Sequence, residues 1–327
     1  MKVIISLVFL MVFVSRVTEG SELASVRLGV MADAVDSYIP VIGNSLGIFK
    51  KHGLDVKAQT FSAGINTLDA LTLGQLDLGM AADFAALNRI GGAEKSILRI
   101  YAKLAVPSSK SESSWKFYTR GDAIKTPADI GGKPIVVRKG TVEEYWVAQL
   151  LEQNGISAES VKLLPVGSLQ EGVALLKTNR ADGMWASGQA AANLREMGGV
   201  GAIADLESIN APTITLLIST QKYLEENNEA VASYLRAADE VVRFILANPE
   251  ESASIINKNL NVPREQALLN LQRDELGIDF TQATIDALDK INKWAYGAGF
   301  IKTTFNPRDY VNVNALKTAF PNRVSYK

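Results

Sequence analysis

Cysteine is absent from the 327 residues, and histidine occurs once, as His52. The first absence removes disulfides, cysteine-built metal centres and a thiol nucleophile. The second removes any site that needs two imidazoles, so no metal site and no catalytic set is expected. Charge of one sign is lacking too. The chain has 34 Lys+Arg against 35 Asp+Glu, a formal net charge of −1, whereas phosphate backbones demand a concentrated basic surface, so nucleic acid is not expected as a partner. No Gly-x-Gly-x-x-Gly follows a strand and no phosphate-loop pattern occurs. Such patterns place glycine amides around phosphate, so no nucleotide cofactor is implied. Gly91-Gly92 and Gly198-Gly199-Val200-Gly201 read as turns.

What is present is apolar and evenly charged. At 47% hydrophobic and 21% charged, the chain can bury a sizeable core, and its length suggests about two domains. Lys2 is followed by an apolar run from Val3 to Val14 and a polar stretch ending at Gly20. A run of that length rises only about 18 Å as a helix, short of a hydrocarbon core of about 30 Å. Residues 1–20 therefore read as an export signal. No Cys follows the run, so the expected product is periplasmic and not lipid-anchored.

Beyond Gly20, short apolar runs alternate with helical spacing. Strands are predicted at 26–30, 54–58 and 76–80, with helices at 37–51 and 65–73 between them. This alternation implies βαβ units with parallel strands. The pattern resumes with strands at 115–119, 134–138, 161–165 and 181–185 and helices at 141–154 and 169–177. Segments Gly64–Ala82 and Gly167–Ser187 match loosely: Leu71 and Leu176 each precede an Asp by six residues, and both aspartates lead into Gly-Met. Pro107–Ser114 and Asn210–Thr213 read as two crossings between lobes. The expected division is lobe I at 21–112 plus 214–327, with lobe II at 113–213. A strand at 214–219 and helices at 229–246, 249–259, 263–275 and 281–296 would pack back onto lobe I, an arrangement that can hinge.

In open α/β sheets the carboxyl ends of the strands form the ligand crevice. Residues at those ends are Asp33, Ser37 and Tyr38; Ser62, Ala63 and Gly64; Ala82 and Asp83; Lys139, Gly140 and Thr141; and Trp185 and Gln189. Amides at helix N-termini attract anions, and small residues leave room for a ligand. Plain structural readings stand beside these: Asp36, Ser37, Asp83 and Thr141 suit helix caps, and Trp185 suits a core. Glu143 and Glu144 read as first-turn acids favoured by the helix dipole. His52 reads as an exposed residue closing a Lys-rich helix.

Leu46-Gly47-Ile48-Phe49, Ser62-Ala63-Gly64, Leu71 to Gly79, Thr126 to Lys133, Ala181-Asp182-Gly183 and Ala211-Pro212-Thr213, in that order, resemble periplasmic solute-binding proteins of ABC importers for nitrate, sulfonate, taurine and bicarbonate. The resemblance spans about Val26 to Val311. It implies a two-lobed α/β fold of the periplasmic-binding-protein type II kind with two interlobe crossings, closing around a small molecule. It also implies delivery to ABC permease subunits by a monomer without cofactor or catalysis. Carried over by position, the pocket falls at Asp33, Tyr38, Ser62, Ala63, Gly64, Ala82, Asp83, Ser114, Trp115, Gly140, Thr141 and Thr213. Relatives that bind sulfonates often have an aromatic and a Pro after the Asp-Gly strand; here Trp185 comes one turn early and the Pro is absent. The ligand class stays open among sulfonate, carboxylate and amine. Two other functions share the fold: a ligand sensor for a signalling partner, and an enzyme of thiamine-pyrimidine synthesis. The latter is disfavoured by the missing Cys and the single His.

Overall fold

The computed structural model describes residues 22–32, 35–108, 114–211 and 213–326. The expected signal segment, Asp33, residues 109–113 of the first expected crossing and Pro212 of the second lie outside the described residues. Two mixed sheets organise the rest. The first half begins with β1 (Ala24–Met31), α1 (Val35–Ser45), α2 (Ile48–Lys51), β2 (Leu54–Phe61), α3 (Gly64–Thr72), β3 (Leu78–Ala82), α4 (Asp83–Gly91) and β4 (Leu98–Pro107). The middle of the chain supplies β5 (Lys116–Arg120), β6 (Pro134–Val137), α5 (Val142–Gln153), β7 (Lys162–Pro165), α6 (Leu169–Lys177), β8 (Gly183–Ala186), α7 (Gly188–Arg195) and β9 (Val200–Asp205). Then follow β10 (Thr215–Thr220), α8 (Gln221–Glu226), α9 (Asn228–Ala247), α10 (Pro249–Leu260), α11 (Arg264–Leu271), β11 (Asp274–Thr281), α12 (Gln282–Gly297), α13 (Asn314–Ala319) and β12 (Val324–Ser325).

The seven-stranded sheet has the order β12-β11-β4-β10-β3-β1-β2 and the five-stranded sheet the order β7-β6-β8-β5-β9. β1, β2 and β3 run parallel, as do β6, β7 and β8. The wholly parallel sheets implied by the alternation are not formed. β10 runs antiparallel between β3 and β4, and β5 runs antiparallel between β8 and β9. The strand that follows the middle segment thus returns to the centre of the first sheet, so that sheet is incomplete without residues more than a hundred positions downstream of β3.

Three further differences stand out, the first and last with clear causes. The helix predicted over 37–51 is broken by Gly47 at φ 69°, a left-handed position that suits glycine,. The strands β4 and β9 were not predicted. The helix predicted to reach residue 275 stops at Leu271, and β11 follows, pairing antiparallel with β4. Leu276, Ile278 and Phe280 of β11 alternate with polar neighbours, the period-two signature of a strand with one buried face,.

The loose internal match has a physical basis. Asp77, ahead of β3, pairs with Arg27 of β1 at 2.6 Å, and Asp182, ahead of β8, lies 3.7 Å from Arg120 of β5. Gly79 follows Asp77 by two residues and Gly183 follows Asp182 directly. A Cβ on Gly79 would come within 2.9 Å of Leu71, and one on Gly183 within 2.9 Å of Phe117. Each glycine lets apolar side chains close directly over the strand.

The larger of two apolar cores spans both halves, and a smaller one around Tyr118, Val136, Leu176 and Met184 lies within the second half. The seam of the larger core is aromatic: Tyr145 of α5 stacks on Phe84 of α4 at 5.5 Å and meets Trp294 of α12 edge-on at 4.8 Å. Trp294 Nε1 also donates to Glu152 at 2.9 Å. No helix among the described residues is long and apolar enough to cross a membrane.

Candidate ligand-binding site

A cavity of about 80 Å³ lies between the two sheets. Its floor is made where strands end and helices begin: Met31, Ala32, Val35 and Asp36 after β1, Ala63-Gly64 after β2, Ala82 after β3, Arg138, Thr141 and Glu143 after β6, and Ser187 after β8. Thr213 and Thr215 close it from the second crossing, and Arg273 and Asp274 close it from the start of β11. Trp115, Val142, Trp146 and Leu169 supply apolar wall. A larger groove of about 890 Å³ on the second half is lined by residues such as Arg120, Lys177 and Glu196. It takes nothing from the first half and includes none of the candidate residues.

Of the residues singled out from sequence, Ala63, Gly64, Ala82, Trp115, Thr141 and Thr213 line the cavity. Gly64 is there for space: a Cβ would sit 2.9 Å from the Ala81 Cα and 3.1 Å from the Met31 sulfur. The others are held elsewhere. Tyr38 is buried and its hydroxyl accepts from Asn270 at 2.7 Å. Trp185 is buried with its ring 5.6 Å from both Phe117 and Trp146. Gln189 donates to Asn193 at 2.8 Å, and the Ser62 hydroxyl lies 3.2 Å from Asn66. Ser114 is buried and not part of the lining.

The amides expected to cradle an anion at Gly140 are engaged. Gly140 stands at φ 75° and its N–H donates to Glu144 at 2.8 Å. Asp83 serves the fold: it accepts from Phe84 N at 2.7 Å, the Thr213 hydroxyl at 2.7 Å and Ile214 N at 2.8 Å. These bonds pin the second crossing to the start of α4. Burial pushes the Asp83 carboxyl up to about 6, opposed by those three donors,. All three favour the ionised form, so the geometry argues for a carboxylate near neutral pH.

Five charged residues escape the sequence reading as ligand neighbours: Asp36, Arg138, Glu143, Arg273 and Asp274. Arg138 donates to the Ser62 carbonyl at 2.5 Å, across the gap between halves, and to the Glu143 carboxylate. Glu143 is 3% exposed and also takes the Thr141 hydroxyl. Arg273, equally buried, pairs with Asp274 at 3.0 Å and reaches Ser187 at 3.4 Å. Asp36 accepts from Met31 N at 3.0 Å through one oxygen. Its other oxygen is buried and has no hydrogen-bond partner in the structure. Burial pushes this carboxyl up to about 7, with Arg273 pulling it down and Asp274 pushing it up.

Two α/β halves joined by two crossings, with a cavity at facing strand ends, define the periplasmic-binding-protein fold. The NMT1/THI5-like family model matches residues 36–252, and the chain belongs to that family. A Brucella abortus (strain 2308) protein named as a binding protein is 26% identical over 298 residues, 87% of this chain and 89% of that one. The alkanesulfonate-binding protein SsuA from Xanthomonas axonopodis pv. citri, solved with MOPS, superposes at TM-score 0.77 with 18% identity, covering 89% of this chain and 99% of that one. The fold also carries catalysis: the desulfurization enzyme DSZB superposes at TM-score 0.68 with 12% identity, covering 91% and 99%.

Proposed function

We propose that the protein is an exported solute-binding protein that captures a small organic molecule between its two lobes and delivers it to an ABC importer. One observation carries this reading. The walls of a single cavity come from helix starts and strand ends of both sheets, and Arg138 ties them together through Ser62. A ligand that touches both halves stabilises the closed arrangement over an open one by its differential contacts. The lobes are assigned as 21–112 plus 214–327 and 113–213, in keeping with the strand membership of the two sheets. The family and the similar binding proteins support the reading.

Because fold does not dictate function, an enzyme on this scaffold is weighed on chemistry. The sequence has no thiol, and its one imidazole, His52, is tied to Glu240 at 2.9 Å and does not line the cavity. That favours capture without conversion.

Thermal-shift and X-ray scattering measurements across a library of sulfonates, carboxylates, amines and nucleobase-like compounds test the proposal. The expected result is a raised melting temperature and a smaller radius of gyration with at least one compound. Chemical conversion of the bound compound, or no response to any of the library, would overturn it.

A further inference from the structure

The charges in the cavity do not suit a simple anion. Each guanidinium already has its own acid: Arg138 holds Glu143, and Arg273 holds Asp274. Two of the helix starts that would draw an anion by their dipoles carry acids in the first turn, Asp36 in α1 and Glu143 in α5,. Of the three acids lining the cavity Asp36 has no ion-pair contact; it is 1% exposed, Arg273 acts on it only through space, and its Oδ1 is buried with no hydrogen-bond partner. A buried acceptor left without a partner loses its bonds to water with nothing in return, and a ligand that donates to it recovers that loss.

The surroundings of that oxygen describe the rest of the molecule. Within the same cavity Val35 and Ala85 from the first half and Trp115, Val142, Trp146 and Leu169 from the second offer an apolar wall beside the polar groups of Thr141, Ser187, Thr213 and the paired charges. Indole faces tolerate and attract a nearby organic cation.

We propose that the site takes an organic ammonium compound, a protonated amine on an apolar body, whose N–H donates to Asp36 Oδ1. This rests on the solute-binding reading and names the substrate class of the same cavity. Asp36 then determines specificity, since a sulfonate offers it no donor and a neutral hydroxyl offers a donor without the compensating charge.

The test is calorimetric titration of the full exported chain with three probes of like shape: benzylamine, benzyl alcohol and phenylmethanesulfonate. The wild type and Asp36→Asn are compared after a melt without ligand establishes that both are folded. Benzylamine is expected to bind the wild type at least tenfold more tightly than either companion, and Asp36→Asn to erase that preference. The wild-type comparison among probes stands even where the variant does not fold. Equal or tighter binding of the sulfonate, or a benzylamine affinity unchanged in Asp36→Asn, overturns the amine assignment and leaves the solute-binding reading intact. Failure of benzylamine to bind overturns the assignment too, while the library response described above decides the wider reading separately.

Discussion

Arg138 and Ser62 lie on opposite sides of the cleft, and the Arg138 guanidinium donates to the Ser62 carbonyl at 2.5 Å. Its other terminal nitrogen holds the Glu143 carboxylate. One side chain therefore neutralises a buried acid and fastens one half of the molecule to the other. Removing Arg138 alone would strand Glu143 as an uncompensated buried charge, a loss of fold unrelated to closure. The informative variant is Arg138→Met with Glu143→Gln. It should remain folded yet shift toward an open form, since a hydrogen bond from a charged donor contributes about 1.5–3 kcal/mol. Solution scattering should record a larger radius of gyration without ligand. An unchanged radius would mean that the aromatic seam at Tyr145 and Trp294 holds the halves unaided.

Trp185 offers the contrasting case. Its ring is 1% exposed and sits between Phe117 and Trp146, so Trp185→Ala opens a void in the core. A cost of about 3–5 kcal/mol is expected, read from the urea unfolding midpoint. A cost below about 1 kcal/mol would show that the ring contributes little packing.

Gly64 is fixed by proximity, with no demand on its backbone angles. An added Cβ would meet the Ala81 Cα at 2.9 Å, and main chain of a central strand cannot step aside as a flexible side chain can. Gly64→Ala should lower stability by about 1–3 kcal/mol and weaken any ligand resting on the start of α3. Wild-type stability and affinity in this variant would show that β3 and α3 separate easily.

The fold was legible where local chemistry decides it. Gly53 and Gly74 close helices, and apolar runs alternate with periodic segments, so most βαβ units fall close to their expected places. β10 was foreseen as a strand but not as the partner of both β3 and β4, because pairing is decided over long sequence distances. Register explains the fate of Trp185. The predicted strand 181–185 placed it at the crevice, but β8 extends to Ala186, which brings Ser187 to the strand end and the indole into the core. Small residues at helix starts, such as Ala63 and Gly64, were readable as cavity floor. The pairing of Arg273 with Asp274 is local, but the reach of Arg273 to Ser187 required the whole fold to bring α11 against α7.

Asp36 links stability to pH in a direction opposite to that of most carboxylates. Burial pushes its carboxyl from 3.8 up to about 7, so the folded protein keeps a proton that the unfolded chain has released. Between those two values the folded state binds more protons, and stability falls as pH rises, by at most about 1.4 kcal/mol per pH unit for one proton. The groups acting on Asp36 are the Met31 N–H, Arg273 and its own backbone N–H, which favour its charge, and Asp274, which opposes it. Asn at this position carries no charge in either state and keeps an acceptor for Met31. Without ligand, Asp36→Asn should therefore be more stable than the wild type by about 1–3 kcal/mol near pH 8, with the difference closing toward about pH 4. Asp83 is present in both proteins, so its own titration largely cancels in the comparison. Urea unfolding at several pH values measures the gap. Parallel curves for the two proteins would mean that Asp36 ionises alike in the folded and unfolded chain, and that the site had not retained a strained acid for its ligand.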